Sequence, residues 1–240
     1  MTTNLKNLKI KIFADGADIE SMIEMYHKPY IKGLTTNPTL MNKAGIKNYR
    51  AFAIDVLSVI KDKPVSFEVF SDDFDEMIIQ AKEIASWGSN VNIKIPITNS
   101  KGQETTSVIE NLSNSGVILN VTAVMTTAQV TKVVNSINTE TSAFISIFAG
   151  RIADTGIDPI FTMSESLRIM KSTPNLELIW ASPRELLNII QADEIGCHVI
   201  TVSSDILGKL DLIGKDLLEY SLDTVKMFKN DAEKSGYSIS

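Results

Sequence analysis

A chain of 240 residues, 44% hydrophobic and 22% charged, can bury a large core without disulfide or metal staples. Its net charge of −6 argues against nucleic-acid or anionic-membrane partners, and its apolar runs are too short for a bilayer span. The one cysteine, Cys197, cannot form an internal bridge, and Met1-Thr2-Thr3-Asn4-Leu5-Lys6 lacks the apolar run of a secretory signal, so a reducing, cytoplasmic setting is expected.

In chain order, β-branched runs predict strands over Lys11–Asp15, Ile31–Thr36, Val65–Val69, Val91–Pro96, Val117–Val124, Ala143–Ala149, Leu176–Ser182 and His198–Ser204. Successive starts lie about 20 to 35 residues apart, enough for a crossover helix each time. Tyr49–Lys61 and Asp73–Trp87 carry apolar residues at helical spacing, and Pro183-Arg184-Glu185 is expected to open another helix. Lys209–Lys229 follows as a C-terminal helix with an apolar stripe of Leu217, Leu218, Leu222, Val225 and Phe228. That stripe packs either on its own barrel or on a neighbouring copy.

Eight β-then-α units in a chain of this length predict an α/β fold: a single (β/α)8 barrel domain over residues 1–240, with 209–229 an additional C-terminal helix. An open doubly wound sheet is the rival. Strand alternation favours the barrel, because polar residues gather on one face near the strand ends. Asn92, Lys94 and Pro96 share a face, as do Asn120 and Thr122, Ser146 and Phe148, and Trp180, Ser182 and Arg184. Barrel active sites lie at those C-terminal ends.

Lys94 is the sharpest feature. A lysine within a β-branched run and before a proline is costly to bury unless partnered, and removing an amine from water favours its neutral, nucleophilic form. Asp15, Asn37, Glu68, Asn120, Thr122 and Ser146 each read singly as a cap, turn or satisfied polar group. Taken together they set a lysine, two carboxylates, hydroxyls and amides at one barrel mouth, a constellation suited to carbonyl chemistry through a Schiff base. Arg151 and Arg184 follow the sixth and seventh strands, where barrels hold phosphate, and Ser182 could add a hydroxyl. His27 and His198 have no companions at ligand spacing, and neither GxGxxG nor a Walker A pattern occurs, so no metal or nucleotide cofactor is expected.

Phe13-Ala14-Asp15, Gly33-Leu34-Thr35-Thr36-Asn37-Pro38-Thr39, Val91-Asn92-Ile93-Lys94-Ile95-Pro96, Asn120-Val121-Thr122, Ser146-Ile147-Phe148-Ala149-Gly150-Arg151 and Ala181-Ser182-Pro183-Arg184 occur in the order of the transaldolase family. The chain resembles that family, including its small branch of fructose-6-phosphate aldolases. The resemblance implies a cofactor-free barrel of carbohydrate metabolism in which Lys94 forms a Schiff base with a sugar phosphate and Asp15 is the general acid and base. Glu68 and Thr122 would hold a proton-shuttling water. Asn37, Asn120 and Ser146 would bind donor hydroxyls, and Arg151, Arg184 and Ser182 the phosphate. Glutamate at position 68 and Phe148 resemble the transferase members, whereas the aldolase branch tends to have glutamine and tyrosine there. The implied activity is transfer of a dihydroxyacetone unit from a ketose phosphate to an aldose phosphate. The alternatives are a lyase that releases dihydroxyacetone and a barrel that only binds sugar phosphates. Ile147 stands where the family commonly has proline, and Pro183 where it commonly has phenylalanine, both beside implied substrate contacts. The resemblance also implies a homo-oligomer built through the C-terminal helix.

Overall fold

A computed structural model describes residues 5–237 and residue 239. These form two compact units: residues 9–207, and a smaller unit of the first residues up to Leu8 with Gly208 onward.

The larger unit is a (β/α)8 barrel. Its strands are β1 Lys11–Asp15, β2 Ile31–Thr35, β3 Val65–Glu68, β4 Val91–Pro96, β5 Leu119–Val124, β6 Ala143–Ile147, β7 Leu176–Trp180 and β8 Val199–Ser203. They pair in parallel and in chain order, and β8 returns to β1 to close the ring. Helices follow the strands: α1 Ile19–His27, α2 Pro38–Lys43, α3 Tyr49–Val59, α4 Phe74–Ala85, α5 Thr106–Asn114, α6 Thr127–Ser136, α7 Ala149–Asp154, α8 Pro159–Ile169, α9 Leu187–Glu194 and α10 Ser204–Leu207. Side-chain caps set several starts: Asp18, Asn37, Asn48 and Asp73 each accept a backbone N–H of the first helical turn, and Thr126 with Gln129 makes a capping box. No helix among the described residues is long and apolar enough to cross a membrane.

Both faces of each strand are buried, one under the helices and one inside the ring. On β4, Ile93 and Ile95 are fully buried, and Lys94 between them is only 7% exposed. The ring interior carries Phe13, Ile179 and Val199, with Phe144 set edge-on to Phe13 at 6.0 Å between centroids. These residues lie two positions before Asp15, Ala181, Thr201 and Ser146 on the same strand faces, so they floor the space beneath those side chains. Gly33 lets the Phe13 ring fit, because a Cβ there would stand 2.7 Å from it.

Four expectations need correction. The strands end one or two residues short of several sequence runs, as at Glu68 rather than Val69 and Ile147 rather than Ala149. No helix opens at Pro183: Ser182 adopts φ 59°, and the Asn188 side-chain oxygen accepts the Arg184 and Glu185 N–H groups, so α9 begins at Leu187. Trp180 does not share the pocket face; it is fully buried on the opposite side, whereas Ile179 and Ala181 point inward. Finally, 209–229 is not one helix. Leu210–Leu212 forms a 3-10 turn, Gly214 turns the chain at φ 77°, and Asp216 caps helix α11, Leu217–Lys234. Leu217, Leu218, Leu222, Val225 and Phe228 on α11 are all exposed.

Cys197 lies just before β8, buried, with its thiol directed at the Leu178 and Val199 carbonyl oxygens at 3.4 Å each. Burial pushes that thiol up to about 12.

Candidate active site

The C-terminal ends of the strands enclose a cavity of about 400 Å³. Asp15, Asn37, Glu68, Lys94, Asn120, Thr122, Ser146, Phe148, Arg151 and Ser182 all line it. Register explains the gathering: Glu68 pairs with Lys94, Lys94 with Asn120, and Pro96 with Thr122, so these inward faces converge at neighbouring levels.

The Lys94 ammonium donates to the Thr36 carbonyl at 2.7 Å and to Glu68 Oε2 at 3.1 Å. Both partners sit at strand ends that the ring closure brings together, and the pair is shielded, with side-chain exposures of 9% and 17%. Asp15, at the end of β1, accepts Thr35 Oγ1 at 2.8 Å and Asn37 Nδ2 at 3.3 Å. Burial pushes the Asp15 carboxyl above its ordinary range, and the Lys94 charge and those two hydrogen bonds pull less strongly the other way. Asn37 has two tasks, since its Oδ1 also caps α2 through the Leu40 N–H at 2.9 Å. Ser146 donates to Asn120 Oδ1 at 2.7 Å, and Asn120 Nδ2 donates to Ser66 Oγ at 3.2 Å. The buried Thr122 hydroxyl has no hydrogen-bond partner among the described residues and faces the cavity.

At the far wall the Arg151 guanidinium lies over the Phe148 ring, 5.7 Å from its centroid. Ser182 reaches the cavity because its left-handed φ of 59° breaks the alternation of β7. Its backbone passes so close to α7 that a Cβ on Gly150 would lie 1.6 Å from the Ser182 carbonyl oxygen. Gly150→Ala is therefore expected to cost about 1–3 kcal/mol of stability, measured by urea denaturation. Arg184 is the one expected site residue that does not line the cavity. Its Nε donates to Asp154 Oδ1 at 3.0 Å, and its terminal nitrogen pairs with Asp154 Oδ2. Sequence reasoning missed Thr35 and Thr201, which line the cavity beside Asp15 and hydrogen-bond each other, and Ser66, which holds Asn120. Their signal was the polar residue on an inward face of a β-branched run.

The sequence matches the family model described as Transaldolase/Fructose-6-phosphate aldolase over residues 12–239. The chain belongs to this family. A protein named "Probable transaldolase" from Dehalococcoides mccartyi is 34% identical over 82% of this chain and 88% of its own length. Another of that name from Thermoanaerobacter sp. is 30% identical over 96% of this chain and 100% of its own. A solved "putative dihydrodipicolinate synthase family protein" from Coccidioides immitis shares the fold, with a TM-score of 0.58 and 10% identity over 85% of this chain and 68% of that one.

Proposed function

We propose that this member of the transaldolase/fructose-6-phosphate aldolase family is a transferase that moves a dihydroxyacetone unit from a ketose phosphate to an aldose phosphate. The carrying observation is the buried Lys94 ammonium at the barrel mouth, 3.1 Å from Glu68 Oε2, with Asp15 on the same cavity. Glu68, the nearest carboxylate, takes the proton that frees the amine. The amine adds to the C2 carbonyl of the donor, and the carbinolamine loses water to give an iminium on Lys94. The Asp15 carboxylate accepts the C4 hydroxyl proton as the C3–C4 bond breaks. The bonding electrons move to the iminium nitrogen, an aldose phosphate leaves, and an enamine remains. Attack of the enamine on an acceptor aldehyde, with Asp15 returning the proton, and hydrolysis of the new iminium by water held by Glu68 and Thr122 complete the cycle. The lysine supplies the electron sink, so the steps need no cofactor. Asn37, Asn120 and Ser146 serve the donor hydroxyls.

Arg151 and Ser182 hold the phosphate, and Arg184 joins them by sharing itself between phosphate and Asp154. Phe148 has no hydroxyl to assist protonation of the enamine, which supports transfer over release. The reading extends to one catalytic unit working in a reducing, cytoplasmic compartment and to self-association through α11, whose apolar residues are exposed.

The test is triose-phosphate release from fructose 6-phosphate with and without erythrose 4-phosphate. Release that depends on the acceptor is expected. Equal release without acceptor would identify a lyase, and a lack of reaction together with no borohydride-trapped adduct at Lys94 would leave only a binding barrel.

A further inference from the structure

We infer that Tyr49, on α3, is a positioning residue that fixes Glu68 against Lys94. The inference rests on the reaction proposed above. In a parallel sheet, successive residues turn their N–H and C=O groups to alternate neighbours. Ser66 faces β2, since its carbonyl accepts the Thr36 N–H at 3.2 Å, and Val69 faces β4, donating to the Lys94 carbonyl at 3.3 Å. Glu68 shares the parity of Ser66, so its backbone also faces the β2 side. No strand is left there. β2 ends at Thr35, and Asn37 and Pro38 already open α2.

The Tyr49 hydroxyl stands where the ladder would have continued. It accepts the Glu68 N–H at 2.7 Å and donates to the Glu68 carbonyl at 3.0 Å, so one side-chain oxygen replaces both bonds of the missing strand partner. Its ring is fixed in turn, with centroids 4.7 Å from Phe70, 5.7 Å from Trp87 and 6.0 Å from Phe67. The hydroxyl therefore sits in a rigid aromatic frame outside the cavity. Glu68 is the last residue of β3, and its carboxylate must both take a proton from Lys94 and hold the hydrolytic water. A terminal residue with a free backbone would let that carboxylate wander, and sub-ångström placement governs proton transfer.

The experiment is a double-mutant cycle of Tyr49→Phe and Glu68→Gln in the full chain. Phenylalanine keeps the ring in its cluster and deletes only the oxygen. In the unsubstituted background, Tyr49→Phe is expected to lower kcat about 10-fold while KM for the ketose phosphate changes less than about 2-fold. In the Glu68→Gln background the same substitution should change kcat less than about 2-fold, because the group it positions is already disabled. An unchanged kcat in the first background, or an equal loss in both, would overturn the inference: the second result marks a general structural role. Should Tyr49→Phe not fold, amide exchange in the unsubstituted protein decides, with a protected Glu68 N–H expected and exchange at the open-chain rate overturning the inference. Failure of the underlying Schiff-base chemistry looks different, because the unsubstituted protein would then give no borohydride adduct at Lys94.

Discussion

Replacing Lys94 by methionine is expected to lower turnover by about 10⁴-fold or more, equivalent to at least about 5.4 kcal/mol of lost transition-state stabilisation. Methionine keeps most of the stem volume and removes the nitrogen, so the carbonyl of the donor has no amine to meet. The borohydride-trapped adduct, read by mass spectrometry, should vanish with it. Lys94 also answers the half-buried Glu68 carboxylate at 3.1 Å. Removing one member of a shielded ion pair leaves the other uncompensated, at a cost of about 3 kcal/mol. Adding Glu68→Gln to Lys94→Met should recover most of that stability without recovering any turnover, measured by urea denaturation. Residual turnover near the original level in Lys94→Met would end the Schiff-base reading.

Asp15→Asn should act in opposite directions on rate and stability. General acid and base catalysis, the role proposed for Asp15, is worth about 10²- to 10⁴-fold, and an amide cannot accept the C4 proton, so kcat should fall in that range. Stability moves the other way. Burial holds the folded carboxyl above its ordinary range, so the folded chain binds this proton more tightly than the unfolded one. The favourable state is full below about pH 3.9, the ordinary carboxylate value, and is lost as pH rises through the raised one. At pH 7 the ionised group therefore strains the native state, and Asp15→Asn should melt higher. Near pH 4 the difference should shrink. The same shift sets the acid limb of kcat/KM, which should lie above the ordinary carboxylate range, and a limb at or below about pH 3.9 would remove Asp15 from the proton-transfer role.

The barrel and most of the cavity were legible because strand alternation is a local code. Lys94, Asn120 and Ser146 declare their inward faces through their neighbours, and parallel register then lines them up. Where alternation breaks, the reading broke too. Ser182, with its left-handed backbone, departs from the alternation of β7, so Trp180 packs in the core rather than on the pocket face with Ser182, and α9 opens at Leu187 rather than at Pro183. Arg184 follows β7, yet its pairing with Asp154 joins α7 to the loop after β7, a contact between residues 30 positions apart. Tyr49 was invisible as a site residue for a similar reason. Within its helix it is one more apolar position, and its hydroxyl acquires a task only because β2 stops short beside Glu68.

The sealed thiol before β8 has a practical consequence. Cys197 is buried, and its thiol, pushed up to about 12, holds a negligible thiolate fraction near neutral pH. Maleimides and disulfide-forming reagents find no accessible thiol in the native barrel, so the unsubstituted protein is not expected to cross-link through Cys197. A cysteine introduced at exposed Lys226 or Lys229 on α11 would then be the sole accessible thiol among the described residues. A fluorophore or spin label could be attached there stoichiometrically while Cys197 keeps its place in the core.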